Sequence, residues 1–188
     1  AGAPAEGGER MTETGKDRPC VFFDRDGIVN RSPGAGYVER VEDFHLLPEF
    51  VEALRVVQAR GYEAVIVTNQ RGVSLGRLTE ATLDDIHRTL KEQLRSRGLA
   101  LRDIFFCTAD DDAHPDRKPN PGMLLAAARR HHLDLARSWM VGDNERDVEA
   151  GRRAGCRTVR VGSAGQQSAA DFRLAGLDEL PGFLSAHL

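Results

Sequence analysis

Two hydrophobic rhythms alternate along the chain. Short apolar runs recur at Cys20-Val-Phe-Phe23, Ala64-Val-Ile-Val67, Ile104-Phe-Phe106, Trp139-Met-Val141 and Thr158-Val-Arg-Val161. Runs this short, with almost no polar alternation, suit strands buried on both faces. Between them apolar residues recur at helical spacing. Pro48 opens one such segment, with Phe50, Val51, Leu54 and Val57 on a stripe that Gly61 closes. Thr79 opens the next, with Leu83, Ile86, Leu90 and Leu94, stopped at Gly98. Helices are predicted over 121–133 and 146–154, a short sixth strand over 171–174 and a closing helix over 177–188. Buried strands followed by amphipathic helices predict an α/β fold, a doubly wound, Rossmann-like parallel sheet with helices on both faces. The longest connections, 27–47 and 107–117, are too short to hold a cap domain.

Composition narrows this picture without supplying chemistry. A chain of 188 residues, 40% hydrophobic and 29% charged, reads as one folded domain rather than a disordered one. A net charge of −3 and a pI near 6.1 argue against a basic nucleic-acid surface. No stretch approaches the ~20 apolar residues of a membrane span. Three widely spaced cysteines, Cys20, Cys107 and Cys156, suggest reduced thiols and a cytoplasmic setting. Residues 1–17 lack any apolar run and read as a flexible tail with no secretory signal, Met11 being the expected natural start. The folded domain is then 18–188, expected to be a monomer because few apolar residues are superfluous to its core.

In open α/β sheets, ligands bind beyond the carboxyl ends of the strands. The first strand ends Asp24-Arg25-Asp26-Gly27, and the second ends Thr68-Asn69-Gln70. A loop after the third carries Arg117-Lys118-Pro119, and the fourth ends Gly142-Asp143-Asn144, with Asp147 one turn further on. Each fragment alone is an ordinary turn, cap or solvated lysine. Their occurrence in order, at successive strand ends, gathers three acids, a threonine and a lysine on one edge.

This set resembles the four motifs of the haloacid dehalogenase superfamily, over residues 19–188. The strings Asp24-Arg-Asp-Gly-Ile-Val-Asn30, Gly36-Tyr-Val38, Val67-Thr-Asn-Gln70, Arg117-Lys-Pro-Asn-Pro-Gly-Met123 and Met140-Val-Gly-Asp143 are similar to the histidinol-phosphatase and D-glycero-D-manno-heptose 1,7-bisphosphate 7-phosphatase group. The resemblance implies a Mg²⁺-dependent phosphomonoesterase acting on a small phosphorylated sugar, with D-glycero-D-manno-heptose 1,7-bisphosphate, losing its 7-phosphate, the expected substrate. It makes Asp24 the nucleophile and Asp26 the general acid and base. It has Asp24, the Asp26 carbonyl and Asp143 hold Mg²⁺. Thr68 and the amide of Asn69 would bind phosphoryl oxygens, and Lys118 would offset their charge. Asp147 would orient Lys118, with Asn144 beside it at the phosphate entrance. Backbone N–H groups of Arg25 and Asp26 would form an anion nest. Asn30 and Arg117 are expected substrate contacts, although Asn30 could instead hold a turn.

Three departures bear on the substrate. Many members carry a zinc loop before the catalytic lysine, with Cys-x-His and Cys-x-Cys pairs. Here Cys107 fits one ligand, Ala109 stands where His would be, and His114-Pro-Asp116 replaces the second pair. A structural site wants four Cys or His ligands, so a short loop without zinc is expected. Arg71-Gly-Val-Ser-Leu-Gly76 lacks the arginine usual at the Leu75 position, and Asn144 replaces a frequent lysine. Histidinol phosphate or another sugar or cyclitol phosphate is the alternative substrate. An inactive phosphate-binding relative would lack a catalytic group, and none is missing. A phospho-receiver domain would lack an acid at the Asp26 position.

Overall fold

The structure, a computed structural model, describes residues 17–162 and 167–188. The expected tail therefore lies outside the described residues, apart from Asp17. Six parallel strands form one sheet: β1 (Cys20–Phe23), β2 (Glu63–Asn69), β3 (Asp103–Cys107), β4 (Trp139–Gly142), β5 (Arg157–Val161) and β6 (Phe172–Leu174). Their order is β3-β2-β1-β4-β5-β6. The chain thus winds outward from β1 in one direction, then returns to β4 and winds outward in the other. That reversal opens a crevice beyond the ends of β1 and β4.

Helices cover both faces: α1 (Pro48–Ala59), α2 (Glu80–Arg95), α3 (Gly122–His131), α4 (Glu145–Ala154) and α5 (Leu180–His187). The period of two in a strand divides the core. Val21 and Phe23 of β1 face a cluster with Phe50 and Leu54 of α1, Leu83 and Leu90 of α2, and Leu180 and Leu184 of α5. Cys20 and Phe22 face the opposite cluster, with Met123, Leu124 and Ala127 of α3 and Ala150 and Ala154 of α4. The doubly wound sheet read from the sequence is the one observed. Two local expectations differ. The run 104–106 reads as fully buried, but β3 is an edge strand and Phe106 stays exposed. The closing segment begins as a 3-10 turn over Leu177–Glu179 before α5, whose first turn carries Pro181. No helix among the described residues is long and apolar enough to cross a membrane.

Register aligns the site. Phe23 lies level with Ile66 of β2 and with Val141 of β4. The residues that follow, Asp24, Thr68 and Asp143, therefore emerge on one edge within a residue or two of each other. The helix that leaves β4 sits unusually close to the sheet. A Cβ on Gly151, in the middle of α4, would lie 2.6 Å from Met140 Cβ and 2.9 Å from Thr158 Cγ2. Gly182 in α5 has nothing within 4 Å. We therefore expect Gly151→Ala to lower the unfolding free energy by about 1–3 kcal/mol through overpacking. Gly182→Ala should raise it by about 0.5–1 kcal/mol, as expected for a helical glycine with room around it. Urea titrations of the two variants give the comparison, and equal shifts would remove the close-packing account of α4.

Candidate active site

The site is built around Lys118, on the loop between β3 and α3. Its ammonium has three N–H donors. Nζ donates to Asp24 Oδ1 at 2.8 Å, Asp147 Oδ1 at 2.7 Å and the Val67 carbonyl at 2.8 Å. The side chain is almost wholly buried. Burial opposes its charge, but the carboxylates of Asp147 and Asp24 outweigh that and hold its pKa above the ordinary lysine value. Asn69, the last residue of β2, fixes the lysine's backbone. Its Nδ2 donates to the Lys118 carbonyl and its Oδ1 accepts from the Lys118 N–H, both at 3.0 Å.

Asp147 is held from its other side by the start of α4. Its Oδ2 accepts from the Asn144 N–H at 3.1 Å, while Asn144 Oδ1 accepts from the Arg146 N–H at 3.0 Å. This reciprocal pair caps the helix. It also leaves Oδ1 of Asp147 for Lys118. Gly27 has φ +90°, and a Cβ there would lie 2.1 Å from Asp143 Oδ2. Only glycine lets the turn after β1 come so near this carboxylate.

Asp24, Asp143 and Asp147 bring carboxylate oxygens within 4.8 Å of one another. Burial, then the charge of Asp147, pushes the Asp24 pKa up to about 7. The same two causes push Asp143 up to about 6. One ammonium against three carboxylates leaves two negative charges uncompensated. Asp147 is already committed to Lys118 and Asn144, so Asp24 and Asp143 are the oxygens free to take a cation. A hard dication with oxygen preference fits this donor set, and Mg²⁺ is such an ion.

Asp24, Asp26, Thr68, Asn69, Lys118 and Asp143 line one cleft of about 270 Å³. Ser32, Pro33, Gly34 and Tyr37 form its lip, with Asn144 and Arg146 on the α4 side. Tyr37 is seated on Gly72, where a Cβ would come within 3.0 Å of its ring. Thr68 Oγ1 accepts from Gln70 Nε2 at 2.9 Å.

Two expected substrate contacts turn elsewhere, and a third residue offers the cleft only its backbone. The Arg25 side chain is fully buried and bonds Asp26, Gln70 and His87, so only its backbone N–H is left for the expected anion nest. Asn30 is also fully buried; its Nδ2 donates to Asp26 Oδ1 and to the Arg31 carbonyl, both at 2.9 Å. Arg117 is buried within its own loop, donating to Asp112 Oδ1 at 2.8 Å and to the Ala109 carbonyl at 3.1 Å. These two residues serve turns, because the loops fold back on the nearest acceptors. Across that loop Arg71 pairs with Asp110. Cys107 Sγ lies 3.7 Å from His114 Nδ1, which already accepts from the Asp116 N–H at 3.1 Å.

The sequence reading gives His87 and Arg146 no role, whereas Gln70 and Gly36-Tyr-Val38 stand in its motif strings and the lip lies within its 27–47 connection. His87 carried a signal: it lies four residues after Leu83 and three before Leu90, a polar residue on an apolar stripe.

Comparison with known proteins agrees with this geometry. An HAD-hydrolase-like family model matches residues 116–180. The D-glycero-beta-D-manno-heptose-1,7-bisphosphate 7-phosphatase of Salmonella typhi is 34% identical over 180 residues, covering 88% of this chain and 95% of that protein. Its counterpart in Yersinia pestis is 36% identical over 186 residues, covering 89% and 96%. The crystal structure of D,D-heptose 1,7-bisphosphate phosphatase from B. bronchiseptica, complexed with magnesium and phosphate, superposes with a TM-score of 0.80 at 30% identity. It covers 90% of this chain and 99% of that one.

The raised acids make a pH-dependent prediction. Their folded pKa values lie above the ordinary 3.8. In metal-free protein their contribution to stability is full below about pH 4 and is lost as pH rises through about 6 to 7. A dication bound there competes with those protons. The melting-temperature rise on replacing EDTA with Mg²⁺ should therefore be larger at pH 8 than at pH 5. Equal rises at the two pH values would contradict this charge account.

Proposed function

The chain belongs to the haloacid-dehalogenase-like D-glycero-D-manno-heptose-1,7-bisphosphate 7-phosphatases, and on that basis we propose that it removes the 7-phosphate of this sugar bisphosphate through an aspartyl-phosphate on Asp24. It is a phosphoric monoester hydrolase, and phosphatases of its superfamily use Mg²⁺. The observation that carries the proposed chemistry is the Asp24–Lys118 contact of 2.8 Å at the floor of the cleft. A carboxylate can attack a phosphate dianion only where fixed positive charge offsets the repulsion.

In this reading Asp24 attacks phosphorus and the ester P–O bond breaks. Asp26 gives its proton to the departing alkoxide oxygen. Water then attacks the aspartyl-phosphate, Asp26 takes the proton back, and inorganic phosphate leaves with Asp24 restored. Lys118 holds Asp24 in place and offsets charge on the phosphoryl oxygens. Thr68 and the Asn69 amide receive those oxygens. Asp24, Asp143 and the Asp26 carbonyl are the groups proposed to hold Mg²⁺, which when bound supplies Lewis-acid charge stabilisation. The lip over 32–37, rather than a cap, would meet the sugar. We further propose a cytoplasmic setting, since Cys20, Cys107 and Cys156 are all free thiols.

A phosphate-release assay comparing the heptose 1,7-bisphosphate, histidinol phosphate and hexose phosphates tests the substrate. The heptose bisphosphate should give the highest kcat/KM, and preference for histidinol phosphate would overturn that assignment. On the best substrate, Asp24→Asn should cost at least about 10³-fold in kcat. Asp26→Asn should cost about 10²- to 10⁴-fold while Mg²⁺ binding persists. Wild-type turnover in either variant would remove its assigned role.

A further inference from the structure

Asp26 is held from behind by a buried polar chain in which the side chains of Arg25 and His87 take no part in the phosphate chemistry described above. Arg25 supplies most of it. Its Nε and Nη2 donate to Asp26 Oδ1 at 3.1 and 3.0 Å, and Nη2 also reaches Oδ2 at 3.3 Å. Asn30 Nδ2 adds a bond to Oδ1 at 2.9 Å, and Gln70 Nε2 one to Oδ2 at 3.3 Å. The rest of the guanidinium is anchored inside the protein. Nη2 donates to Gln70 Oε1 at 3.2 Å, and Nη1 lies 3.3 Å from Nε2 of His87 on α2. Arg25 is fully buried, whereas the Asp26 side chain is about a quarter exposed on the cleft.

The chemistry of these groups sets the direction of each bond. A guanidinium can only donate, so His87 Nε2 must accept, and the ring must be neutral with its proton on Nδ1. Burial, then the charge of Arg25, hold the His87 pKa down to about 3, in keeping with that state. The ring lies against Phe106 of β3, with centroids 5.5 Å apart. A planar fork fixed at both ends defines the plane of the carboxylate it grips, which a lysine cannot do.

We propose that Arg25, seated by His87, is a positioning residue that fixes the Asp26 carboxyl for proton transfer to and from the substrate oxygen. Oδ1 takes three donors at 2.9–3.1 Å, whereas Oδ2 has two, both at 3.3 Å. Oδ2 is therefore the oxygen with capacity left to carry the proton. The effect belongs to the proton-transfer step, not to phosphate binding, because no atom of the Arg25 side chain or His87 faces the cleft. This inference rests on Asp26 being the acid and base.

The test is leaving-group dependence. A sugar phosphate expels an alkoxide that needs a proton, whereas p-nitrophenyl phosphate expels a stable phenolate that scarcely does. The ratio of the two kcat/KM values in one preparation does not depend on how much of the protein is folded. For Arg25→Lys we expect this ratio to fall about 10-fold or more, and for Asp26→Asn further still, within the span of general-acid catalysis. His87→Leu, which removes the acceptor at a distance from Asp26, should lower it about 3- to 10-fold on the same scale. His87→Gln, which restores an acceptor, should return it to within about twofold of wild type. If Arg25→Lys and His87→Leu slow both substrates equally while Asp26→Asn changes the ratio, the positioning role is wrong and the acid assignment stands. If Asp26→Asn leaves the ratio unchanged, the acid assignment fails and the positioning role with it.

Discussion

A lysine ammonium taken out of water organises the rest of this site. Lys118 spends its three donors on Asp24, Asp147 and the Val67 carbonyl. Removing one partner of such a buried set leaves uncompensated charge and costs about 3–5 kcal/mol. The surrounding structure therefore has to hold every partner in place. The end of β2 does so through Asn69, and the start of α4 does so through the Asn144–Asp147 cap. Gly142 is needed for the same reason, since a Cβ there would lie 2.2 Å from Asp147 Oδ2. The lysine nevertheless balances only one of the three neighbouring carboxylates. Burial, then this remaining charge, raises the pKa values of Asp24 and Asp143, and the excess negative charge makes the cleft a place for a dication and a phosphoryl group together.

The fold places these groups without any element devoted to them. Parallel strands in register end level, so residues far apart in sequence emerge side by side. The crevice between β1 and β4 exists because the winding reverses there. The lip is short, and Tyr37 and Gly72 hold it against the neighbouring loop. An acidic chain can then work on an anionic ester, since the positive charge that matters is local and buried.

Much of this was legible in the sequence. The apolar runs marked the strands, and the acids just beyond them marked the edge where chemistry collects. Lys118 was legible only through its company, because a lysine in a loop carries no signal of burial. For Asn30, which could equally hold a turn, and for Arg117, the direction of the side chain stayed open for a physical reason. Residue type and spacing give a side chain's donors but not the direction in which an irregular loop turns them, and both turned toward nearby backbone and carboxylate acceptors. The same blindness hid the second role of Arg25, whose charge points into the protein. His87 was the exception, since a polar residue on the apolar face of α2 needs a buried partner, and Arg25 is that partner.

The central claim is that this lysine-held Asp24 carries the phosphoryl group during turnover. Quenching the enzyme with acid during turnover and reducing it with borohydride converts an acyl phosphate to an alcohol, and mass spectrometry of the peptides then locates the change. The account predicts homoserine at position 24 and nowhere else, dependent on substrate. An intact aspartate at that position under steady turnover, or homoserine at another acid, would contradict it.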